Sequence, residues 1–331
     1  MSVSKKIVVI GAGSFGTCLS VVLAQNGHEV HVWGRDQEKI DTITATKENS
    51  RYLPGIALPD SIQWSADRSC AEDKDIALIA VPSRYFRSTL ESFKPHLKPD
   101  CIIVSVVKGL DPNTGHRMTQ VAEEILDRGP VAALSGPSHA EEVAQGIPGA
   151  VTVGCKDKNI AETLQHTFNN QTFRVYRSSD VVGVEIGGVM KNVVAIAAGV
   201  SDGIGFGDNT KAALITRGLS EIRRLGVAFG ADPETFTGLS GLGDLIVTCA
   251  SRHSRNRGVG ERLGKGETIQ QILDSMEQVA EGYWTAETAR RIAHEKGIDA
   301  PITEEVYQVL YEGKDPARAV SDLLSRDPKP E

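Results

Sequence analysis

An uncharged, β-branched run near the start of the chain leads into three glycines at fixed spacing, Ile7-Val8-Val9-Ile10-Gly11-Ala12-Gly13-Ser14-Phe15-Gly16. A strand that turns through GxGxxG into a helix restricts the fold strongly, because this turn is typical of a βαβ unit. Gly11 permits the tight turn, Gly13 lets the backbone approach a pyrophosphate, and Gly16 lets the helix pack on the strand. N–H groups at the helix start then favour phosphate. The segment predicts a dinucleotide site rather than a glycine-rich turn without a ligand.

Short β-branched runs alternate with helical stretches through the first half of the chain, which predicts a mostly parallel sheet covered by helices. The expected strands are 7–10, 30–33, 76–81, 102–106, 131–134 and 151–153. After Tyr176 the strand pattern stops, and helical periodicity covers 185–200, 211–229, 268–276, 285–296 and 304–311. We therefore expect an α/β Rossmann-type dinucleotide-binding domain, 1–182, followed by an all-α catalytic and substrate domain, 183–331, with the boundary falling between 178 and 185.

Composition excludes several classes of function. The formal charge of -7 argues against nucleic acid or an anionic membrane as the main partner, so an anionic substrate must meet a local cluster of Lys and Arg. The uncharged stretch 7–24 has the length of a signal peptide or membrane span, but glycines and hydroxyl side chains dilute it too heavily. Five scattered cysteines without a CxxC pair favour a reduced, cytoplasmic protein and no metal site.

The end of the second strand, Trp33-Gly34-Arg35-Asp36, bears on which dinucleotide is bound. Strict NAD enzymes usually place an acidic residue here to bind the ribose hydroxyls. Gly34 supplies no carboxylate and Arg35 can pair with a 2′-phosphate, so we predict that NADPH is accepted. Two alternatives stay open: Arg35 stacks on adenine or is solvated, and Asp36 leaves room for NADH.

The segment 184–198 predicts a helix that is apolar on all sides, and the only charge between Glu185 and Asp202 is on Lys191. Such a helix is typically buried, and an ammonium is seldom buried without a partner or a purpose. Because burial disfavours the charged form, Lys191 is a candidate proton donor and acceptor. The alternatives are a lysine that reaches the surface or one that makes a structural ion pair.

Two more segments carry candidate chemistry. The glycine-rich stretch 237–245 places Asp244 beside backbone that can approach a ligand, where it accepts a substrate hydroxyl or orients Lys191. Alternatively, Asp244 caps a helix that runs toward Thr248. The stretch 251–257 packs three arginines into seven residues, which suits a phosphate clamp or, alternatively, a solvated basic loop. No nucleophilic Ser/His or Cys/His pairing stands out, and hydride transfer needs none.

Six motifs together resemble the bacterial NAD(P)-dependent glycerol-3-phosphate dehydrogenases. They are GAGSFGT (11–17), SVVKGL (105–110), LSGPSHAEEVA (134–144), KNVVAIAAG (191–199), GLSGLGDL (238–245) and SRHSRNR (251–257). The resemblance implies a 6-phosphogluconate-dehydrogenase-like helical domain and the interconversion of dihydroxyacetone phosphate and sn-glycerol 3-phosphate with NADPH or NADH, without a metal. It also implies a cytoplasmic homodimer whose product feeds phospholipid synthesis.

The same resemblance assigns roles to individual residues. It makes Lys191 the proton donor and acceptor, with Lys108 and Asp244 as active-site partners and Thr248 as a weaker match nearby. The implied substrate contacts are Lys108, Gly136, Ser138, Lys191, Asp244, Ser254, Arg255 and Asn256. The implied cofactor contacts are Gly11, Gly13, Ser14, Phe15, Gly16, Arg35, Tyr52, Lys108, Ala140, Arg255, Val279 and Glu281.

Two other kinds of protein were weighed against this interpretation. A β-hydroxyacid or 6-phosphogluconate dehydrogenase pairs similar domains, but it generally shows Lys and Asn one helical turn apart, whereas Lys191 and Asn192 are adjacent here. The arginine-rich stretch also disfavours it. A regulator that senses NAD(P)H without catalysis has no use for a buried lysine beside a phosphate clamp.

Overall fold

The computed structural model describes residues 4–327, and the chain divides into two compact units between Glu185 and Ile186. The expected domains include residues 1–3 and 328–331, which lie outside the described residues. The strands are β1 (Lys6–Ile10), β2 (Glu29–Trp33), β3 (Gln63–Ser65), β4 (Ile76–Ile79), β5 (Ile102–Ser105), β6 (Ala132–Ser135), β7 (Gly149–Gly154) and β8 (Phe173–Ser178). The α-helices are α1 (Ser14–Gln25), α2 (Gln37–Thr46), α3 (Ser83–Phe93), α4 (Met118–Leu126), α5 (Ala140–Ala144), α6 (Lys158–Phe168), α7 (Val181–Ile204), α8 (Asp208–Ala228), α9 (Asp244–Ala250), α10 (Arg255–Gly264), α11 (Ile269–Ser275), α12 (Glu281–Lys296), α13 (Pro301–Tyr311) and α14 (Pro316–Leu324).

The first unit contains an eight-stranded sheet in the order β3-β2-β1-β4-β5-β6-β7-β8. Neighbouring strands are parallel except β6 and β7, so the predicted mostly parallel sheet is confirmed. On β1, Ile7 and Val9 pack into the core on one face, while Val8 and Ile10 pack into the core on the other. Because helices cover both faces, the central strands are continuous apolar runs, which is why they are readable in the sequence.

The sequence prediction missed the two strands that form the edges of this sheet. β3 is only three residues long and has no fully buried side chain. β8 alternates buried residues with exposed ones such as Arg174 and Tyr176, as expected for an edge strand, and it continues two residues past Tyr176. Three strand ends were also wrong: residues 80–81 and 106 lie in the loops after β4 and β5, and residue 131 precedes β6.

The second unit is helical throughout its described residues, which confirms the expected fold class. α8, α11, α12 and α13 match the periodic segments, and α12 and α13 begin several residues earlier than predicted. α14 was missed. The helix α10 was also missed. It begins at Arg255, inside the stretch 251–257, for which the alternative interpretation was a solvated basic loop. Its apolar face is narrow, because only Val259 and Leu263 provide large buried side chains.

Glycines allow α7 to pack closely against two neighbours within this unit. A Cβ on Gly187 would lie 2.3 Å from the carbonyl oxygen of Ser240, and a Cβ on Gly260 would lie 1.9 Å from that of Ile196. Neither distance is possible for a real methyl group, so only glycine permits this approach. The π-helical turn Leu239–Gly243 and the helix α10 therefore lie directly against α7.

Two buried glutamates each hold the first turn of another helix. Glu185 accepts hydrogen bonds from the backbone N–H of Thr119 at 3.0 Å and from the guanidinium of Arg117, at the start of α4. Glu221 accepts from the N–H of Thr303 at 2.9 Å, at the start of α13. Burial raises the pKa of both carboxyls, and these donors oppose that shift.

The apolar segments belong to the cores of the two units. The uncharged stretch 7–24 forms β1 and α1 rather than one long helix. Among residues 4–327, one helix, α7, is long and apolar enough to span a membrane by length and composition alone. Of its apolar window, 89% is buried inside the protein, as in the core helix of a globular unit.

Candidate active site

The glycine turn between β1 and α1 is closely packed on one side and open on the other. Gly11 has φ +125°, and a Cβ there would lie 2.6 Å from the carbonyl oxygen of Ala80. A Cβ on Gly16 would lie 2.0 Å from the carbonyl oxygen of Gly11. Gly13 precedes the first turn of α1 without a side-chain cap, and a Cβ there would meet nothing within 4 Å. The first N–H groups of this twelve-residue helix therefore face an open cradle that fits a pyrophosphate.

Asn49 holds this turn in place, and the sequence prediction missed it. The side chain is 2% exposed, and its Nδ2 donates to the carbonyl oxygen of Ala12 at 3.0 Å and to Oγ1 of Thr17 at 2.8 Å. The predicted cofactor residue Tyr52 is half-buried, and its N–H donates to the carbonyl oxygen of Asn49 at 3.1 Å. Asn49 thus ties the loop that carries Tyr52 to the glycine turn.

Lys108 lies beside Phe15 and the turn that follows β6. Its Nζ donates to the carbonyl oxygen of Gly136 at 3.2 Å and lies 5.8 Å from the centroid of the Phe15 ring. Ser138 Oγ donates to the same carbonyl oxygen at 2.9 Å. Gly136 has φ +143°, and a Cβ there would lie 2.9 Å from Cα of Val151, so the turn requires glycine. The structure therefore brings these four predicted site residues together.

Arg35 and Asp36 follow β2 and have different surroundings. Asp36 caps α2, accepting from the N–H of Lys39 at 3.3 Å, and its carboxylate pairs with Nζ of Lys39 at 2.5 Å. Hydrogen bonds from the side chain and backbone of Lys39 lower the pKa of Asp36. Arg35 is exposed, and its guanidinium carbon lies 5.8 Å from the ring centroid of Tyr85. Asp36 is therefore occupied with its own helix, whereas Arg35 stands at the strand end.

Lys191 is buried in α7 and paired with Asp244, their exposed fractions being 6% and 1%. Its Nζ donates to the Asp244 carboxylate and to Oγ1 of Thr248, the latter at 2.8 Å. Thr248 Oγ1 donates to the backbone carbonyl oxygen of Asp244 at 2.6 Å, so toward Lys191 it acts as an acceptor. The carboxylate stabilises the ammonium that burial destabilises. Two partners thus fix the direction of the amine in a largely dry site.

This geometry removes two of the alternatives left open by the sequence. Lys191 does not reach the surface, and its pairing with Asp244 fits both a proton donor and a structural ion pair. Gly243, not Asp244, is the N-cap of α9, and the Asp244 side chain is directed at Lys191.

The helix α10 begins within the arginine-rich stretch. Ser254 is its N-cap, accepting at Oγ from the N–H of Arg257 at 3.2 Å. Arg257 is ion-paired with Asp202 at 2.6 Å, so it belongs to the packing of the unit. Arg255 is exposed at the first position of the helix, and its Nη1 donates to the carbonyl oxygen of Val279 at 3.0 Å. The stretch 251–257 is therefore not only a solvated basic loop, since it begins a helix with Arg255 at the first position.

Asn256 connects three parts of the second unit. Its Nδ2 donates to Oδ1 of Asn192 at 2.9 Å, and its own Oδ1 accepts from the N–H of Gly282 at 2.9 Å. Asn192 directly follows Lys191 on α7, and Gly282 directly follows Glu281 at the start of α12. The amide chain thus links the buried lysine, the start of α10 and the predicted cofactor segment 279–281. The sequence singles out Asn192 only by its spacing from Lys191 and does not predict its contact with Asn256.

The predicted site residues fall into two sets, one in each unit. The first unit holds Gly11, Gly13, Ser14, Phe15, Gly16, Arg35, Tyr52, Lys108, Gly136, Ser138 and Ala140, and the second holds Lys191, Asp244, Ser254, Arg255, Asn256, Val279 and Glu281. Ala140 is buried at the first position of α5. Across residues 4–327, no group of three or more His, Cys, Asp or Glu side chains is arranged to hold a metal ion.

Comparison with known proteins decides the family. Models described as the N-terminus and the C-terminus of NAD-dependent glycerol-3-phosphate dehydrogenase match residues 6–161 and 180–321. The chain belongs to this glycerol-3-phosphate dehydrogenase family. The resemblance seen in the six sequence motifs is thereby confirmed, and the protein is an NAD(P)-dependent oxidoreductase.

Individual members of the family match along nearly their whole length. Glycerol-3-phosphate dehydrogenase (NAD(P)+) of Moorella thermoacetica is 49% identical over 324 residues, covering 97% of this chain and 96% of the relative. The enzyme of the same name from Pseudoalteromonas translucida is 45% identical over 328 residues, 98% of each chain. The crystal structure of glycerol-3-phosphate dehydrogenase from Coxiella burnetii superposes with a TM-score of 0.95 at 38% identity, covering 98% of this chain and 99% of the other.

Alanine substitutions in the glycine turn separate cofactor binding from folding in this dehydrogenase. A methyl group on Gly13 projects into open space at the proposed pyrophosphate position, so Gly13→Ala should cost about 1 kcal/mol of stability at most and weaken NADPH binding roughly tenfold or more. A methyl group on Gly16 meets the carbonyl of Gly11, so Gly16→Ala should destabilise by about 1–3 kcal/mol. Thermal unfolding and NADPH fluorescence titration measure the two effects. Unchanged NADPH affinity in Gly13→Ala would contradict the assignment.

Proposed function

We propose that this enzyme interconverts dihydroxyacetone phosphate and sn-glycerol 3-phosphate with NADPH or NADH. The observation that carries the proposal is the buried, oriented amine of Lys191 with its partners Asp244 and Thr248 in the helical unit of a family member. Reduction of a ketone adds a hydride to carbon and a proton to oxygen, so the site needs a proton donor whose position is fixed.

Lys191 is the proposed proton donor and acceptor. The nicotinamide cofactor, when bound, supplies or accepts the hydride. As C2 of dihydroxyacetone phosphate gains hydride, its carbonyl π electrons move to oxygen, and the Lys191 ammonium gives that oxygen a proton. In the reverse direction the amine takes the proton of the C2 hydroxyl. Asp244 and Thr248 hold the Nζ in one direction and favour the return of the ammonium form.

The phosphate of the substrate is assigned to the start of α10. Arg255 presents a planar guanidinium suited to bidentate binding, and the N–H groups of the first helical turn add to it. Ser254 and Asn256 flank Arg255. The hydrogen bonds of Asn256 with Asn192 and Gly282 fix the position of this first turn of α10 relative to α7. The proposed substrate contacts from the first unit are Lys108, Gly136 and Ser138.

The proposed cofactor contacts begin with the glycine turn. Gly11, Gly13 and Gly16 form the cradle for the pyrophosphate, with Ser14 and Phe15 in the first turn of α1. The remaining proposed contacts are Arg35, Tyr52, Lys108, Ala140, Arg255, Val279 and Glu281. The reaction as proposed uses no metal ion. We assign residues 1–182 to the dinucleotide domain and 183–331 to the catalytic domain.

Cellular context and assembly are proposed from the family. A cytoplasmic enzyme would supply sn-glycerol 3-phosphate to phospholipid synthesis, and five free thiols agree with a reducing compartment. We expect a homodimer, since the helical unit exposes the large apolar side chains Phe206, Val227 and Ile246. Light scattering on purified protein should give twice the 35.5 kDa chain mass. A monomeric mass at micromolar concentration would contradict the dimer.

Substrate assays test the reaction itself. Oxidation of NADPH, followed by the loss of its absorbance, should be rapid with dihydroxyacetone phosphate. NADP+ should not be reduced appreciably with 6-phosphogluconate or a β-hydroxyacid, because a β-hydroxyacid has no phosphate and 6-phosphogluconate is a longer chain with a carboxylate at its other end. Faster turnover with either acid than with sn-glycerol 3-phosphate would overturn the proposed function.

Replacing Lys191 tests its role. Lys191→Ala removes the proton donor, so turnover should fall by roughly two to four orders of magnitude, with little change in NADPH affinity. Lys314→Ala is the matched control, because Lys314 is also a largely buried lysine of the second unit, paired with Asp322 at 2.7 Å. Steady-state kinetics and NADPH titration of both variants give the result. Normal turnover by Lys191→Ala would require another acid.

A further inference from the structure

Two residues outside the predicted site, Arg84 and Tyr85, are linked to Arg35, because both arginines lie beside the ring of Tyr85. Arg35 follows β2, whereas Arg84 and Tyr85 are in the first turn of α3, soon after β4. The strands β2 and β4 are the two parallel neighbours of β1. Arg35, Arg84 and Tyr85 therefore follow the carboxyl ends of strands, at the same end of the sheet as the glycine turn. The guanidinium carbons of Arg35 and Arg84 lie 5.8 Å and 4.6 Å from the centroid of the same Tyr85 ring.

Acidic groups that would suit an unphosphorylated ribose are missing or occupied at this strand end. Gly34 supplies no carboxylate, and a Cβ there would lie 2.7 Å from Cδ1 of Ile40, so a larger side chain would require Ile40 to move. The Asp36 carboxylate caps α2 and pairs with Lys39. The local charge is therefore set by arginine, which at this point of a dinucleotide fold accommodates a 2′-phosphate.

Arg35 and Arg84 are coupled because both guanidinium groups lie beside the ring of Tyr85. Guanidinium groups stack on aromatic faces, and stacking fixes the plane of each fork. Two cations beside one ring also repel each other, and a doubly charged anion that contacts both of them would offset this repulsion. Tyr85 is 38% exposed, and both arginines are exposed, so a ligand can reach them.

We propose that Arg84 is a second specificity-determining residue, which together with Arg35 binds the 2′-phosphate of NADPH while the Tyr85 ring orients both guanidinium groups. The inference rests on the proposed cofactor site and extends it to a residue of α3. The selectivity for the phosphorylated dinucleotide would then depend on residues that follow two strands, Arg35 after β2 and Arg84 after β4, rather than on Arg35 alone.

Binding of two adenosine fragments tests the role of Arg84 without catalysis. Isothermal titration of the whole enzyme with adenosine 2′,5′-bisphosphate and with adenosine 5′-monophosphate isolates the 2′-phosphate. Arg84→Gln should weaken the bisphosphate by roughly five- to twentyfold and the monophosphate by less than about twofold, because a charge-assisted hydrogen bond is lost only for the former. Arg35→Gln should show the same selectivity. Michaelis constants for NADPH and NADH should follow the two fragments.

Arg174→Gln is the matched control, since Arg174 is an exposed arginine 5.7 Å from the ring of Tyr176 on the edge strand β8, which other strands separate from β2 and β4. It removes the same charge and a similar stack, and fragment binding should stay unchanged. Equal losses for both fragments in Arg84→Gln, no loss for either, or a loss in Arg174→Gln as large as in Arg84→Gln would each overturn the proposal. Because the titrations contain no substrate, failure to reduce dihydroxyacetone phosphate would count against the proposed function alone.

Discussion

The buried ion pair of Lys191 and Asp244 is the interaction on which the helical unit depends. Removing two charges from water costs several kcal/mol per ion, and α7 surrounds Lys191 with apolar side chains that offer no compensation. Asp244 can compensate because the turn Leu239–Gly243 packs onto Gly187 at a distance that no other residue allows. The carboxylate that makes the lysine tolerable inside the unit also directs its amine. Folding and the proposed proton transfer therefore share one contact.

The same dependence on close packing extends from Lys191 to the proposed phosphate site. α10 lies against α7 where Gly260 meets the backbone of Ile196, and this approach keeps the Asn256 amide within reach of Asn192. A larger side chain at position 260 would clash with the backbone of Ile196 and force α10 away from α7. The position of Arg255 relative to Lys191 is thus determined by this close backbone contact together with the Asn192–Asn256 hydrogen bond and the Arg257–Asp202 ion pair between the two helices.

The features that could be predicted from the sequence are those encoded by residues that lie close together along the chain. The glycine motif with its preceding strand occupies ten consecutive residues, and Lys191 is the only charge between Glu185 and Asp202, so the Rossmann-type unit and a buried Lys191 were both predicted. β3 is too short and β8 too exposed to give a buried-strand pattern. The helical period of α10 is hidden by its arginines.

Long-range amide contacts were not readable at all. Asn49 is paired with a residue 32 positions away, and Asn192 with one 64 positions away. A side-chain amide gives no sign of its partner in a single sequence, because its hydrogen bonds leave no periodicity and no charge. Only the folded backbone shows that Asn49 supports the glycine turn and that Asn192 holds the start of α10.

The net charge of -7 explains why anion binding in this protein has to be local. At physiological ionic strength, charges more than about 8 Å apart are largely screened, so the negative surface neither strongly repels nor assists a phosphate already in its site. In the proposed sites, affinity then comes from groups in direct contact: the N–H groups of α1, the guanidinium of Arg255, and the arginines around Tyr85. Each of these is held by a neighbour that does not itself bind the anion. Selectivity between phosphorylated ligands is therefore determined by how firmly those neighbours fix the donors, rather than by the number of positive charges in the chain.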